Sequence, residues 1–332
     1  MPVASSAAPR RGWRQFLSAA ALRATRIRWR PWKDRLIRWF VGHYQVDMTL
    51  ALDPDPDAYP DFNAFFTRAL RPDARPLDPD PTSILCPVDG ALGEYGAIQG
   101  GVLLQAKGRR YSLAALLGGD PQQAAAFRAG SFATLYLSPR DYHRVHMPLS
   151  GRLREMIYVP GMLFSVRPRV LTRVDSLFAR NERVISIFDT AHGPLAMILV
   201  GAVMVGGIEQ VWAGRITPPR GAAIRHWSYG DTDPTIQLER GEEMGRFSMG
   251  STVIMLLGKG LDWEDDLHPG RALCMGEALA HAAPGTYLVE NSPSPSPASA
   301  QASPGLSATK TSTPAAESSA AVSDNGKPIT PE

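Results

Sequence analysis

The sequence has little of what a secreted or membrane-spanning protein needs. It has only two cysteines, Cys86 and Cys274, so it carries no disulfide framework and a reducing compartment is expected. Its longest apolar run, from Leu195 to Ile208, contains three glycines and is too short to cross a bilayer. The N-terminus lacks the continuous apolar stretch of a secretory signal. Any membrane contact is therefore expected to be peripheral.

Net charge is also small, but the charges are unevenly distributed. The formal charge is only +3, yet the segment from Arg10 to Phe40 holds ten basic residues and one acid, Asp34. Apolar residues recur there at helical spacing before and after Pro31, which predicts two amphipathic helices. The apolar positions are Trp13, Phe16, Leu17 and Ala20 in the first helix and Trp32, Leu36, Trp39 and Phe40 in the second.

Three interpretations of this basic segment are open. Basic amphipathic helices with Trp and Phe on the apolar face are suited to an anionic lipid interface. The same helices would also be stable if they packed on the rest of the protein with their arginines solvated. A nucleic-acid patch is the third interpretation. The aromatic content favours the membrane surface over nucleic acid.

The composition divides the chain into four regions. Residues 1–51 are the basic amphipathic region, and residues 52–82 are an Asp/Pro-rich connector around a short helical patch. Residues 83–290 form a β-rich domain. Residues 291–332 are mostly Ser, Pro, Ala and Thr, which cannot bury enough apolar area to fold, so this tail is predicted to be disordered.

The domain at 83–290 carries short runs of strand character separated by Gly and Pro. Two helices are predicted, over Ser112–Leu117 and Pro121–Arg128. The fold class is therefore α+β: a β-rich core domain with peripheral helices, preceded by N-terminal amphipathic membrane-binding helices. The predicted strands are Gly101–Gln105, Phe132–Leu137, Met156–Val159, Val184–Phe188, Ala196–Val205 and Thr252–Leu257.

Three segments combine residue types that carry chemistry. The first, Cys86–Gly90, places an acid in a turn. The second, Tyr136–Pro148, holds two of the seven histidines, three positions apart. The third, Phe247–Ile254, contains a Gly-Ser-Thr step that opens into an apolar strand.

Taken singly, each segment has an ordinary interpretation. Asp89 is a common turn former. His143 and His146 have metal-ligand spacing, but no cysteine or acidic partner set accompanies them, so no metal is expected. Gly250 and Ser251 form a common turn before a strand, and the G-x-S-x-G elbow is absent.

Taken together, the segments supply a nucleophile system. A serine hydroxyl is a poor nucleophile until a base removes its proton, and the base needs a third group to orient it. Ser251, His146 and Asp89 have the side chains needed for the nucleophile, the base and the orienting group. Sequence order alone does not show that they meet.

At this point the chain resembles the prokaryotic phosphatidylserine decarboxylase family. The matching pieces cover roughly residues 60–260, in order and with compatible spacing, and the Tyr136–Pro148 block is the most specific. The family usually has Leu-Gly-Ser-Thr where this chain has Met249 before the Gly-Ser step, a change that preserves apolar volume. The other pieces are Phe65–Pro72, Pro87–Gly90, Gln105–Gly108, Tyr111–Leu113, Tyr158–Gly161, Leu177–Arg183 and Gly241–Phe247.

The resemblance implies that the chain cuts itself. In the family a charge relay drives the cut, and residue by residue its roles fall to Asp89, His146 and Ser251. His146 would take the proton from Ser251, whose oxygen attacks the carbonyl of Gly250. The cut would yield a β chain, 1–250, and an α chain, 251–332, which stay associated.

The resemblance also implies a cofactor, a substrate and a location. Ser251 would become a covalent pyruvoyl group, which forms a Schiff base with phosphatidylserine and accepts the electrons released as CO2 leaves. The product is phosphatidylethanolamine. His143 would act as the acid in decarboxylation or position the substrate. A homodimer of cleaved protomers, peripheral on the cytoplasmic face of the cell membrane and without nucleic acid, is expected.

Two rival functions remain open at this stage. A serine hydrolase would use the same Asp89, His146 and Ser251 but would stay intact and react with a serine-directed phosphonate. A non-enzymatic lipid-binding protein would also stay uncut, and Ser251 would then be only part of a turn.

Overall fold

The computed structural model describes residues 23–203, 207–218, 223–230, 234–248 and 252–282. The helices are α1 (Arg30–Tyr44), α2 (Phe62–Phe66), α3 (Leu113–Leu116), α4 (Pro121–Ala125), α5 (Pro168–Leu171) and α6 (Leu177–Arg180), and a 3-10 turn covers Pro56–Ala58. The first strands are β1 (Ser83–Leu85), β2 (Gly90–Ala97), β3 (Val102–Ala106), β4 (Arg109–Ser112), β5 (Ser131–Tyr136), β6 (Arg144–His146), β7 (Gly151–Val159), β8 (Arg183–Thr190) and β9 (Gly193–Val200). The later strands are β10 (Gly207–Gln210), β11 (Gly214–Arg215), β12 (Arg225–Ser228), β13 (Gln237–Leu238), β14 (Glu243–Ser248), β15 (Thr252–Leu257), β16 (Leu261–Trp263), β17 (Ala272–Leu273) and β18 (Ala278–Ala282).

A nine-stranded antiparallel sheet contains most of the core. Its order is β12-β7-β8-β9-β15-β5-β2-β17, with β13 also paired to β7. Strand β15 lies inside this sheet and pairs along its whole length with β5 on one side and β9 on the other. All six of its residues are buried, which explains why its sequence is continuously apolar instead of alternating.

Smaller antiparallel sheets complete the described core. The four-stranded sheet has the order β11-β10-β14-β6, the three-stranded sheet β1-β18-β16, and β3 pairs with β4. Strand β14 therefore belongs to a different sheet from β15, although only residues 249–251 separate them in the sequence. This junction between two sheets is where the sequence predicts the chemistry.

Helix α1 and the segment after it share an aromatic cluster. The Phe40 ring lies 5.0 Å from Phe62, 5.8 Å from Phe65 and 5.9 Å from Phe66, in edge-to-face arrangements that aromatic rings favour. The Asp61 carboxylate caps α2 by accepting the N–H of Ala64 at 2.9 Å. The Asp/Pro-rich segment is thus packed against the N-terminal helix.

The predicted fold class is confirmed: the structure is α+β, rich in strands, with short helices. The strand predicted over Ala196–Val205 was wrong at its end. Strand β9 stops at Val200, because the N–H of Glu182 donates to the carbonyl of Met162 and does not return the bond that it accepts from Gly201. Helix α1 begins beside Pro31, as predicted.

Several sequence predictions lie outside the described residues. The first amphipathic helix, around Trp13–Ala20, is one of them, and the tail at 291–332 is another. Contacts within the chain separate residues 1–289 from residues 290–332, and the described residues all belong to the first unit. Among them, no helix is long and apolar enough to cross a membrane.

The close approach of β2 to β5 at Gly90 predicts a stability effect. A Cβ on Gly90 would lie 2.5 Å from the carbonyl oxygen of Tyr136, a backbone atom that cannot move aside. We expect Gly90→Ala to lower the free energy of unfolding by about 1–3 kcal/mol, as overpacking usually does. Urea unfolding monitored by circular dichroism measures it.

Gly42→Ala is the matched control. Gly42 lies on the exposed side of α1 with no atom within 4 Å of its Cβ position, so this change should raise the free energy of unfolding by about 0.5–1 kcal/mol. Equal effects of the two substitutions would contradict the steric account.

Candidate active site

Two of the segments that the sequence singles out lie against each other. The backbone N–H of His146 donates to the carbonyl of Pro87 at 2.8 Å, so strand β6 runs beside the turn that carries Asp89. Strand β6 also pairs with β14, which leads to the Gly-Ser step. Gly250 and Ser251 themselves lie outside the described residues.

His146 is held as a neutral base. Its Nδ1–H donates to the carbonyl of Gly241 at 2.8 Å, and its Nε2 accepts the hydroxyl of Tyr142 at 3.0 Å. Since a backbone carbonyl can only accept, the Nδ1 proton is fixed and Nε2 carries the lone pair. Burial lowers the pKa of His146, and the carbonyl of Gly241 opposes that shift only in part. The imidazole is therefore unprotonated near neutral pH.

Asp89 is buried and fully engaged by other partners. The guanidinium of Arg75 donates to both of its oxygens, at 2.8 and 2.5 Å, and the N–H of Met275 donates to Oδ1 at 2.9 Å. The structure does not bring Asp89 into hydrogen-bonding contact with His146, because the carbonyl of Gly241 holds Nδ1 instead. Asp89 still lies close enough for its charge to raise the pKa of His146 slightly.

His143 has a more unusual environment. It is fully buried, its Nδ1–H donates to the carbonyl of Asp141 at 2.8 Å, and its ring centre lies 4.0 Å from that of Phe66. Its Nε2 is buried and has no hydrogen-bond partner within the described part of the chain. Burial lowers its pKa to about 3, so this nitrogen keeps its lone pair. A buried nitrogen without a partner is rare enough to require an explanation, and a reacting group is one.

The register of β6 against β14 separates the two histidines. His146 lies opposite Glu243, whereas the carbonyl of His143 accepts the N–H of Phe247 at 3.0 Å. Glu243 and Phe247 are four residues apart, about 14 Å along a strand. His143 is therefore the histidine whose backbone is level with the end of β14, next to residues 249–251.

The residues on either side of that short segment carry unsatisfied hydroxyls. Ser248 ends β14 and Thr252 begins β15. Both are buried, and among the described residues neither Ser248 Oγ nor Thr252 Oγ1 has a hydrogen-bond partner. These two hydroxyls flank the predicted cleavage site in the sequence, and buried polar atoms of this kind fit a polar reacting group nearby.

A cavity of about 220 Å³ adjoins this region. Tyr142, which binds His146, lies in its wall, and so do Asp89 and its partner Arg75. The remaining lining residues are Gln45, Asp47, Leu50, Arg68, Leu70, Arg140 and Asp141. The cavity thus connects the catalytic segments to the region that follows α1.

Sequence reasoning missed several groups at this site. Tyr142 stands in the most specific motif, four residues before His146, and that spacing was a usable signal. Arg68 lies in the Phe65–Pro72 piece and was equally visible. Gly241 acts through its backbone carbonyl, 95 residues away from His146, and nothing in the sequence signals that contact.

The structure offers no site for a metal within the part of the chain that it describes. No group of three or more His, Cys, Asp or Glu side chains could hold an ion there.

Comparisons with known proteins agree with the resemblance found in the sequence. The family model for phosphatidylserine decarboxylase matches residues 62–281, and a second model, described as PSD, matches residues 14–45. The phosphatidylserine decarboxylase proenzyme of Azotobacter vinelandii is 54% identical over 271 residues, which cover 81% of this chain and 94% of that protein. The proenzyme of Bordetella avium is 56% identical over 249 residues, which cover 75% of this chain and 84% of that protein. For Stutzerimonas stutzeri the identity is 55% over 256 residues, with coverage of 76% and 86%.

The low pKa of His143 predicts a pH-dependent stability. Below the unfolded-state pKa of 6.5 the unfolded chain takes up a proton that the folded chain refuses until about pH 3, so stability falls as the pH falls through this window. Between pH 7.5 and 5 we expect His143 alone to cost about 2 kcal/mol. The variant His143→Asn keeps a donor for the carbonyl of Asp141 but does not titrate. Between pH 7.5 and 5 it should therefore lose about 2 kcal/mol less stability than the unaltered protein. Urea unfolding at pH 7.5, 6.5, 5.5 and 5 measures it.

The range from pH 7.5 to 8.5 is the internal control. The imidazole is neutral there in both states, so the variant should differ from the unaltered protein by a constant. Parallel stability curves down to pH 5 would show that His143 is not buried as a neutral group.

Proposed function

This chain belongs to the phosphatidylserine decarboxylase family and is a carboxy-lyase, and from that premise we propose that it removes CO2 from phosphatidylserine with a pyruvoyl group made from its own Ser251. The product would be phosphatidylethanolamine. The observation that carries the proposal is a set of buried polar atoms without partners among the described residues: Ser248 Oγ and Thr252 Oγ1, which flank residues 249–251 in the sequence, and Nε2 of His143, whose carbonyl binds the end of β14.

Self-cleavage begins with the hydroxyl of Ser251. A histidine Nε2 takes its proton, and the oxygen attacks the carbonyl carbon of Gly250, its own preceding residue. The C–N bond of that amide breaks, an ester forms, and the freed nitrogen takes up the proton. Loss of the Cα proton of Ser251 then breaks the Cβ–Oγ bond, which leaves a carboxylate on Gly250 and dehydroalanine at position 251. Hydrolysis of dehydroalanine gives the pyruvoyl group and ammonia.

His146 is the proposed base for this cut. Its Nε2 carries the lone pair, and the carbonyl of Gly241 performs the orienting task of the third group in a charge relay. The hydroxyl of Tyr142 occupies Nε2, so it must move aside before Ser251 can be deprotonated. Asp89 acts on this system through its charge, which favours the protonated imidazole that forms during the attack.

His143 is proposed to serve decarboxylation. The pyruvoyl group would supply a carbonyl that bonds to the substrate's amine and takes up the electron pair left by CO2. The backbone of His143 binds the end of β14, and the lone pair on its buried Nε2 can accept the proton that the substrate's ammonium group gives up and return it to the α-carbon. The Phe66 ring against His143 helps to exclude water.

Intact mass of the purified protein tests the proposal. The unaltered protein should give two fragments that meet between residues 250 and 251, and the smaller should begin with a blocked, carbonyl-reactive group. Ser251→Ala should give one uncut chain without activity, because no hydroxyl is left to attack. An uncut chain that reacts with a serine-directed phosphonate would indicate a hydrolase instead, and normal fragments from Ser251→Ala would reject the mechanism.

The two histidines are tested in the same assay. His146→Asn should remain uncut, whereas His143→Asn should be cut but should release CO2 from phosphatidylserine at least 100-fold more slowly. The register of β6 against β14 favours the competing assignment, in which His143 is the base for the cut. Cleavage of His146→Asn together with an uncut His143→Asn would establish that alternative.

We further propose that the protein binds the cytoplasmic face of the cell membrane peripherally. Three tryptophans of this region are exposed. Trp29, the N-cap residue of α1, is 68% exposed, and Trp32 and Trp39 within the helix are 43% and 55% exposed. Exposed Trp beside exposed basic residues such as Arg28 and Arg35 is suited to an anionic lipid interface. The homodimer of cleaved protomers is proposed from the family resemblance alone.

Replacing exposed tryptophans tests the membrane proposal without removing the core residues of α1. Trp29→Ser combined with Trp39→Ser should weaken binding to phosphatidylserine-containing vesicles at least tenfold, since each side chain loses its apolar contact with the lipid interface. Self-cleavage should be unaffected. Vesicle sedimentation measures binding, and intact mass measures cleavage.

Ile224→Ser is the matched control, because Ile224 is 42% exposed and lies outside α1. It should leave vesicle binding unchanged. Undiminished binding of the double Trp variant would mean that α1 is not the membrane contact.

A further inference from the structure

Arg68 is a buried cation at the wall of the 220 Å³ cavity. The residue follows α2 in the sequence, and it is only 5% exposed. The guanidinium carbon lies 5.5 Å from the centre of the Phe65 ring. One nitrogen, Nη2, donates to the carbonyl of Arg140 at 3.2 Å. The other two, Nε and Nη1, are buried and donate to none of the residues that the structure describes.

The neighbouring carboxylates do not neutralise Arg68. Asp89 is bound by both arms of Arg75. The carboxylate of Asp141 accepts the N–H of Ser138 at 2.6 Å and lies 3.8 Å from Arg140. Across the residues that the structure describes, no carboxylate lies within ion-pair distance of Arg68.

A buried cation without a counter-ion is expensive. Removing a charged group from water costs several kcal/mol unless an opposite charge and hydrogen bonds replace the water. Burial lowers the pKa of Arg68, and the charges of Tyr59 and Asp89 offset this only partly. Arg68 lines the cavity, and a guanidinium is the side chain best suited to bind an oxyanion by charge-assisted hydrogen bonds.

The cavity leads from Arg68 to the catalytic segment. Tyr142 lies in the same wall, and its hydroxyl binds Nε2 of His146. Gln45, directly after α1, also lines the cavity. At about 220 Å³, the cavity is smaller than the pockets that enclose drug-sized ligands, so it has room for a polar headgroup but not for acyl chains.

The substrate of the proposed reaction carries two anions, and only one suits a strong cation. The carboxylate loses its charge as CO2 leaves, so an arginine bound to it would stabilise the ground state more than the transition state and slow the reaction. The phosphodiester keeps its charge throughout. An arginine bound there anchors the headgroup without opposing the chemistry.

We propose that Arg68 is the phosphodiester-binding residue of the headgroup site. This inference rests on the proposed function for the identity of the lipid, and on the unpaired, buried guanidinium for the site itself. Because the product retains the phosphodiester and has lost the carboxylate, Arg68 must bind substrate and product alike.

Binding of the product distinguishes the two anions. Calorimetric titration with dihexanoyl phosphatidylethanolamine should show at least tenfold weaker binding to Arg68→Gln than to the unaltered protein. In turnover of dihexanoyl phosphatidylserine, KM should rise at least tenfold while kcat changes less than threefold, as expected when uniform binding is lost. Unchanged product binding would overturn the proposal. Unchanged product binding together with a raised KM for the substrate would assign Arg68 to the carboxylate instead.

Arg110→Gln is the control for charge. Arg110 is exposed on β4, and its replacement removes the same charge without touching the cavity, so product binding should not change. Because the titration needs no turnover, failure of Arg68→Gln to weaken binding is distinguishable from failure of the protein to release CO2.

A measurement on the unaltered protein covers the case in which Arg68→Gln does not fold. Titration with sn-glycero-3-phosphoethanolamine should show binding, and titration with ethanolamine should show at least tenfold weaker binding. Equal affinity for the two compounds would mean that the phosphodiester is not recognised, and would overturn the proposal.

Discussion

The antiparallel ladders on both sides of β15 are the constraint on which the rest of the site depends. Strand β15 is paired throughout with β5 and β9, and β14 is paired with β6 and β10. The three residues between Ser248 and Thr252 therefore join two ends that are fixed independently. Such fixed ends favour an attack by one residue on the peptide bond before it. Breaking that bond leaves both strands in their sheets.

The same sheets set the electrostatics of the site. Strand β6 carries His146 into a partly buried position and the preceding residues carry His143 into a fully buried one, where burial keeps both imidazoles neutral. Asp89 is paired with Arg75, and its charge opposes this for His146 only in part. The unpaired charge beside the histidines is a cation, Arg68, and it further lowers the pKa of His143. The site is thus prepared for an anionic ligand.

Much of this could be predicted from sequence, for physical reasons that differ between elements. Continuous apolar runs such as Thr252–Leu257 predicted strands because only a strand buried on both faces needs them. The end of β9 was missed, since the apolar pattern continues past Val200 and the ladder ends at a backbone bond from Glu182 to Met162 that no residue type signals. The sequence identified the segments around Asp89 and His146, but it did not predict the hydrogen bonds that these two side chains make. A backbone carbonyl such as that of Gly241 can orient a histidine, and no residue type signals it.

The different tasks proposed for the two histidines rest on one difference between them. Each donates Nδ1–H to a backbone carbonyl, which fixes the same tautomer. Nε2 of His146 is held by a phenol, whereas Nε2 of His143 has no partner and no contact with water. A base already engaged by Tyr142 suits a cut that happens once, because its proton transfer need not be fast. A desolvated nitrogen without a partner among the described residues suits repeated turnover, because no hydrogen bond has to break before it takes up a proton and passes it to the substrate.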